Sequence, residues 1–370
     1  MSDPTPERRA QAEVEALSAL LGRVGLGGTL PAEPVDEVQM RAQIAALTGD
    51  PVQAEVVPLR PRRRWAVLTG AAAAVLLGIG AALIPAHLGA PSAVATTPPM
   101  LAYPIAPTEL AAGAGPSAAP VLAELADIAA NRVDPEPAGT VQHTLSQSWL
   151  LSVSVEEEGT SVAVEPTVGE TWTAADGSAT FVQWRGPALD STGRLAEVPA
   201  VDTTAANAAV DRMPAGTFDP DQAAALPRDP AALRAELLAG LSAPGCDRTD
   251  SPDTAVCLYL AVTDLADRLV LPADLDAALW QVLAAEPGIS LAGEVTDRVG
   301  EVAVALAFPG ASWDTDPVVR VLLVDPSTGA IVGREEVTLS STALDIDTPT
   351  VTQFRYDLEV GWTEATGPAH

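Results

Sequence analysis

The side chains of this sequence that could do chemistry are mainly carboxylates. Pairs of acids recur at two-residue spacing, for example Asp314 with Asp316 and Asp345 with Asp347. General acid–base catalysis needs a carboxylate whose surroundings shift its pKa, and both pairs lie in turn-like stretches rich in proline or threonine. The chain has 49 acidic and only 20 basic residues, so solvated loop carboxylates are the favoured interpretation.

Sequence motifs of known enzyme classes are absent. The chain contains no G-x-S-x-G, H-E-x-x-H, P-loop or dinucleotide-binding motif. The acidic stretches DIDTPT and DRTDSPD lack the spacing of an EF-hand calcium loop. The sequence therefore predicts a protein that is not an enzyme and that uses no cofactor.

The two cysteines, Cys246 and Cys257, predict a disulfide. Both lie in the part of the chain that we expect outside the cell, where thiols tend to be oxidised. A metal site is the alternative, but His87, His143 and His370 have no ligand spacing to the cysteines. The bridge would close a loop of about a dozen residues and stabilise the fold by ~3 kcal/mol.

An apolar run at residues 65–84, which begins at Trp65, decides which parts of the chain lie on each side of the membrane. It carries no charge and would form about 30 Å of helix, the thickness of a hydrocarbon core. Basic residues beside a span stay in the cytoplasm. We therefore predict a single-pass protein of the cell membrane, with the N-terminus inside and the C-terminal domain outside. The flanking basic residues are Arg60, Arg62, Arg63 and Arg64.

Two other interpretations of this run are less favoured. A core helix of this length would usually include a polar position. A signal peptide cleaved after Ala95 would have a short leading segment, whereas about sixty residues precede this run. Small residues at four-residue steps from Gly70 to Ala82 would let two spans pair, and the sequence leaves the oligomeric state open.

The predicted cytoplasmic tail, residues 1–64, contains two short amphipathic helices. Such helices bury little apolar surface alone and are marginal in water. They could dock in a groove of a cytoplasmic partner, or the tail could be loosely ordered and matter only for insertion. The apolar positions are Val14, Leu17 and Leu21 in the first helix, and Val38, Ile44 and Leu47 in the second.

Beyond the span, residues 85–117 are rich in alanine and proline and predict an extended linker. Residues 118–370 form the predicted extracytoplasmic domain. Residues 65–370 contain 12 arginines, no lysine and 40 acidic residues. So acidic a segment excludes nucleic acid as a partner, because phosphate contacts require basic groups.

Helix and strand patterns alternate in blocks along the outer domain. A helix is expected from Ala118, followed by two hairpins with turns at Glu156–Gly159 and Asp176–Gly177. Three helices follow, one of them capped by Asp229, and strands return near residue 289. This order predicts an α+β fold in which a curved antiparallel sheet packs against helices.

Several stretches carry a resemblance to a known family: WTAADGSATF, LPRDPAALRAELL, LPADLDAALWQVLAAEPGI, GEVTDRVGEVAVALAF and LLVDPSTGAIVGREEV. Over residues 60–362 the chain resembles an actinobacterial family of single-pass membrane proteins of unknown function. That family is often associated, by gene neighbourhood, with extracytoplasmic-function sigma factors. The resemblance implies an external domain like the lipoprotein-carrier half-barrel and implies no catalytic residue. Glu301 and the cysteine pair depart from the family pattern.

Two functions remain open at this stage. In the first, the chain is a transmembrane regulator whose tail binds a cytoplasmic factor such as a sigma factor. Residues 1–64 contain no histidine or cysteine, so any such contact would use the apolar helix faces rather than a zinc-binding domain.

In the second, the outer domain binds a lipid-like or apolar ligand between sheet and helices, and the tail is passive. Tryptophans at strand and helix positions could line such a cavity, although such residues are more often ordinary core. The candidates are Trp149, Trp172, Trp184, Trp280 and Trp313.

Overall fold

The computed structural model describes residues 97–367, except 135, 157–158, 191, 199–207, 242–245, 247–253, 312–315, 343 and 345. The predicted tail (1–64) and span (65–84) lie outside these residues, so both stay predictions. Within the described ranges, no helix combines the length and the hydropathy that crossing a membrane requires.

The described residues form six helices and nine strands. The helices are α1 (Pro107–Ala111), α2 (Ala119–Asn131), α3 (Gln222–Ala225), α4 (Pro230–Gly240), α5 (Thr254–Arg268) and α6 (Ala273–Ala284). The strands are β1 (Val141–Glu156), β2 (Gly159–Thr173), β3 (Ala179–Arg185), β4 (Ala209–Met213), β5 (Ser290–Thr296), β6 (Val302–Ala311), β7 (Pro317–Val324), β8 (Ile331–Thr338) and β9 (Thr350–Thr363).

All nine strands form one antiparallel sheet in the order β4-β3-β2-β1-β9-β8-β7-β6-β5. The first and last strands, β1 and β9, are therefore neighbours in the middle of the sheet. Each half of the sheet is built from consecutive hairpins, as the turn signals in the sequence indicate. The predicted α+β class, with an antiparallel sheet and helices, is confirmed.

The β1–β2 hairpin is longer than the strands beside it. These two strands pair from Gln142 opposite Thr173 to Glu156 opposite Gly159, so they end at the two residues predicted to bound the turn. Strand β9 reaches only Trp149 on one side, and β3 reaches only Thr167 on the other. Residues 150–156 and 159–166 therefore continue as a two-stranded ribbon beyond the rest of the described sheet.

One face of the sheet, which we call the helix face, packs against the helical layer. Helix α4 begins as predicted, with the Asp229 side chain accepting from Ala232 N and Pro230 in the first turn. Side chains from α2, α4, α5 and α6 form one buried cluster with the apolar residues of β6 and β7. These strand residues are Val304, Leu306, Phe308, Leu322 and Val324.

The opposite face of the sheet, which we call the loop face, is covered by two pieces of chain. One is the strap (residues 97–106), which leads into α1; the other is the cover loop (residues 186–198, apart from 191). Strap residues Leu101, Tyr103 and Ile105 pack on buried residues of the sheet. Composition alone assigned residues 97–117 to the linker, but these apolar side chains at two-residue spacing bind them to the domain.

Candidate functional site

A fully buried ion pair lies at the centre of the loop face. Arg298, in the turn between β5 and β6, donates from Nε to Oε1 of Glu335 on β8 over 2.7 Å. Neither side chain is accessible to solvent. The guanidinium also lies 4.3 Å from the ring centroid of Phe354, a cation–π distance. Residues of three strand regions therefore meet around one arginine.

The same guanidinium binds both pieces of chain that cover the loop face. Its Nη2 donates to Pro99 O in the strap, and its Nη1 donates to Gly193 O in the cover loop, each over 2.9 Å. The strap makes a second contact, because Tyr103 OH donates to Glu335 Oε2 over 2.8 Å. We call Arg298, Glu335 and Tyr103 the latch, since they hold strap, cover loop and sheet together.

A local turn positions Arg298. The carboxylate of Asp297 accepts from the backbone N–H groups of Val299, Gly300 and Glu301 over 2.8–2.9 Å. These bonds close the turn between β5 and β6, with Gly300 at φ 96. The TDRVG stretch therefore supplies a turn and a buried cation. Glu301 contributes its backbone N–H to this turn.

Two glycines allow the strap to lie close to its neighbours. A Cβ atom on Gly193 would lie 2.6 Å from Pro99 Cγ, and one on Gly293 would lie 2.7 Å from Pro104 Cγ. Both glycines also have positive φ angles, 83 and 113, which side chains disfavour. The prolines of the strap therefore pack against positions where larger residues would separate the two segments.

Burial governs the electrostatics of the latch. It raises the pKa of Tyr103 well above its ordinary value, and the neighbouring Glu335 raises it further. Burial also raises the pKa of Glu335, while Arg298 and Tyr103 act in the opposite direction. The tyrosine therefore stays a neutral donor to the carboxylate.

On the helix face, the space between α5 and the middle strands is ionic. Asp267 of α5 binds Arg334 of β8 through two short bonds of 2.5 and 2.6 Å, and Arg355 of β9 lies 3.2 Å away. Burial acts to raise the pKa of Asp267, but Arg334 and Arg355 outweigh it and lower that pKa. Arg355 also pairs with Asp357 at 3.0 Å.

The adjoining strand β1 also presents polar residues to the helices. Thr144, Ser146 and Ser148 are buried there, and Ser146 and Ser148 lie opposite Asp357 and Arg355 of β9. A cavity of about 10 Å³ lies nearby, lined by Thr171, Phe181 and other residues. Such a volume holds one water molecule at most. This cavity therefore offers no room for an acyl chain.

The predicted disulfide is confirmed. Cys246 and Cys257 are bonded, with Cα atoms 5.6 Å apart. Cys257 lies in the first turns of α5, so the bridge ties this helix to the chain that precedes it. The part of the chain that the structure describes contains no group of three or more metal-binding side chains.

The structure does not bring the four described candidate tryptophans together around one cavity. Trp280 is buried in the helical cluster, where its Nε1 donates to Gly329 O over 2.8 Å. Trp149, Trp172 and Trp184 lie instead on the loop face, in two adjoining clusters. Trp313 and the tail residues Val14, Leu17, Leu21, Val38, Ile44 and Leu47 lie outside the described residues, as do Arg60, Arg62, Arg63, Arg64 and Trp65.

Two of the loop-face tryptophans differ from Trp280 in their hydrogen bonding. The indole N–H groups of Trp149 and Trp184 are buried and have no partner among the described residues, and neither has the side-chain oxygen of Gln147. The amide nitrogen of Gln147 donates to Pro187 O in the cover loop over 3.3 Å. Buried polar atoms without partners are rare in folded proteins.

The latch was not predicted from sequence. Its signal was present in the alternation of Leu101, Tyr103 and Ile105, a strand-like spacing that the surrounding prolines and alanines conceal. Nothing in the sequence pairs Arg298 with Glu335, because these two residues meet only through the sheet register.

Comparison with known proteins adds little to this description. No family model matches the chain, and no curated protein matches it, so membership of the actinobacterial family stays a prediction. A solved structure that it is similar to is a domain from Vibrio parahaemolyticus assigned to outer membrane lipoprotein sorting. The two are 10% identical over 65% of this chain and 92% of that one. Their TM-score is 0.16, which is too low to support a conclusion about this chain.

Proposed function

We propose that this chain is a single-pass membrane regulator. Its tail (1–64) binds a cytoplasmic regulator of the sigma-factor type, and its outer domain senses an extracytoplasmic signal. The observation that carries this proposal is the latch, because the latch binds the strap to the centre of the domain. The strap is the described segment nearest in sequence to the predicted span.

A sensing domain must be coupled to its span in order to pass on a change of state. Only residues 85–96 separate the predicted span from the strap. Arg298 contacts the strap and the cover loop through the same guanidinium, so a change in the cover loop alters the contact that holds the strap. Such a shared contact is a physical route for coupling two segments.

A second attachment strengthens this coupling. After α1, Ala118 N donates to Ile289 O and Leu291 N donates to Pro116 O, over 3.0 and 2.9 Å. The chain from Pro99 to Ala118 is therefore bonded to the sheet at both of its ends. A slack linker could not transmit a displacement, whereas a segment fixed in this way could.

The ionic layer on the helix face argues against the alternative, an apolar ligand held between sheet and helices. A ligand there would separate Asp267 from Arg334 and would leave these two largely buried charges without each other. Breaking a buried pair in this way costs on the order of 3–5 kcal/mol. We therefore favour the regulator over a passive carrier of that kind.

The test is a search for the partner of the tail. The full chain, tagged at its C-terminus, would be cross-linked in source cells and purified, and its partners would be identified by mass spectrometry. We expect one transcription regulator, which is lost from the variant Leu17→Asp/Leu21→Asp because the apolar face is destroyed.

The matched control places the same two charges on the opposite side of the same predicted helix, as Ala16→Asp/Ala19→Asp. This control should retain the partner. Recovery of no regulator, or equal recovery by both variants, would overturn the proposal.

A further inference from the structure

The loop face holds a group of buried polar atoms that have no partner in the part of the chain described. The described residues contain five such side-chain atoms. Four of them belong to residues on the loop face: Gln147 Oε1, Trp149 Nε1, Trp184 Nε1 and Tyr356 OH. Tyr356 lies beside the carboxylate of Asp297, so we assign only the other three to a site. Each of these residues is more than nine-tenths buried.

The sheet register places the three residues close together. Gln147 and Trp149 are two residues apart on β1 and so share a face. Gln147 is opposite Val168 of β2, and Val168 is opposite Trp184 of β3. With strands ~4.8 Å apart, the three residues occupy a patch that spans three strands, about 10 Å across.

The cover loop lies over this patch. Leu189 and Leu195 pack on the cluster that contains Trp149, and Val198 packs on the cluster that contains Trp184. Among the described residues, four hydrogen bonds join the cover loop to the sheet and its turns: Gly186 N to Pro166 O, Gln147 to Pro187 O, Arg298 to Gly193 O, and Leu195 N to Arg298 O. These bonds hold the cover loop over the patch.

We propose that the sheet surface beneath the cover loop binds an uncharged, apolar molecule that carries a hydrogen-bond acceptor, such as an ester or amide carbonyl. The indole N–H groups of Trp149 and Trp184 are the donors to that acceptor. The apolar body replaces Leu189, Leu195 and Val198 of the cover loop on the two clusters. Gln147 Oε1 is available to a hydroxyl or N–H of the same molecule.

The chemistry of the patch selects an uncharged ligand. A carboxylate or phosphate buried here would need a cation, and the buried cation nearby, Arg298, is already neutralised by Glu335. Indole N–H groups are donors only, so an ammonium group gains nothing from them. A neutral carbonyl matches both conditions.

This inference deepens the proposed function, since it names the ligand class of the sensing domain. A ligand here would move the cover loop. Gly193 of the cover loop and Pro99 of the strap both accept hydrogen bonds from the guanidinium of Arg298, so this movement would affect the strap. The titration below reads binding in the outer domain alone, and the cross-linking experiment reads the tail alone. The failure of one is therefore distinguishable from the failure of the other.

The test uses the full chain in nanodiscs, labelled with 5-fluorotryptophan, and ethyl hexanoate as the probe. We expect saturable shifts of the fluorine resonances of Trp149 and Trp184. The resonance of Trp280 should not move, because its N–H is already bonded to Gly329 O. Hexyltrimethylammonium, which has a similar chain but no acceptor, should produce no saturable shift at either site.

Variants give a second measurement. Trp184→Phe and Trp149→Phe each remove one donor and keep an aromatic ring, and each should weaken binding of the ester about tenfold. Trp280→Phe is the control and should leave binding unchanged. The inference fails if the ester shifts no loop-face resonance, if the ammonium probe binds equally well, or if both variants bind like the parent. Those outcomes would assign ordered water alone to the indole groups.

Discussion

Arg298 and Glu335 form an ion pair in which neither side chain is accessible to solvent, and the arginine of this pair also binds the strap and the cover loop. The pair therefore has two roles, since it joins β8 to the turn before β6 and joins two covering segments to the sheet. Each role gives a measurable consequence.

Replacing Arg298 by Met should destabilise the domain by about 3–5 kcal/mol, because Glu335 would remain buried and unpaired. Urea unfolding followed by tryptophan fluorescence measures the loss. The double variant Arg298→Met/Glu335→Leu should recover a large part of it, since no buried charge remains without a partner.

The exposed pair Arg228 and Asp274 is the control, with side chains 31% and 64% accessible. Arg228→Met should cost no more than about 1 kcal/mol. An equal cost for Arg298→Met and Arg228→Met would show that the latch contributes no more than a surface ion pair.

Asp276 of α6 should make stability depend on pH. Burial raises its pKa to about 7, although Arg132 lies 2.9 Å away and opposes the shift. Because the folded-state pKa exceeds the unfolded value, the native state keeps a proton that the unfolded state has lost. The contribution is thus fully present below about pH 4 and disappears as pH rises towards 7.

The variant Asp276→Asn removes this titration. Its stability relative to the parent should increase between pH 4 and pH 8 by up to about 4 kcal/mol, measured by urea unfolding at each pH. Asp274→Asn on the same helix alters an exposed carboxylate and should show no such increase. A parent that gains stability relative to Asp276→Asn over this range would contradict the assigned pKa.

The disulfide between Cys246 and Cys257, eleven residues apart, should contribute ~3 kcal/mol. The variant Cys246→Ala/Cys257→Ala should lose that amount in urea unfolding. Reduction of the parent protein should have the same effect and should leave the variant unchanged. If reduction destabilises both equally, the bridge is not the source of the difference.

Trp184→Phe and Trp280→Phe remove the same N–H group and should differ in stability. The first removes a buried donor that has no partner among the described residues, so its cost should stay within about 1 kcal/mol. The second leaves the carbonyl of Gly329 unpaired and should cost roughly 1–3 kcal/mol more. Thermal unfolding of the two variants decides between this order and its reverse.

The predicted topology has a direct test in cells. In the background without native cysteines, Ser327→Cys in the exposed turn between β7 and β8 should react with a membrane-impermeant maleimide in intact cells. Ser18→Cys in the tail should react only after permeabilisation. Equal labelling of the two positions before permeabilisation would contradict an inside tail.

Local signals in the sequence predicted most of the helices and strands that the structure describes. Asp229 and Pro230 begin α4 as their types predict, and the turn at Asp176–Gly177 occurs where φ is 78 at the glycine. Such signals depend only on residues that are close in sequence, and the local structure they favour agrees with the final fold.

The contacts that define the candidate site were beyond reach of the same reasoning. Glu335 looks like an ordinary exposed strand residue in the sequence, and it becomes buried only because the strap crosses the loop face. Likewise, three of the tryptophans share one face while Trp280 faces the helices. Spacing within a strand predicts which side chains share a face of the sheet, but only the strand order shows which residues of other strands lie beside them.

The place of β9 in the sheet has a consequence for biosynthesis. Among the described strands, the half from β4 to β1 pairs with the half from β8 to β5 only through β9 (residues 350–363), the last of these strands to be made. A chain that is still leaving the ribosome therefore lacks the strand that pairs its two half-sheets, and each half has an open edge. We expect chaperones to shield these edges until translation has passed residue 363, and premature stop codons before it to yield protein that is degraded.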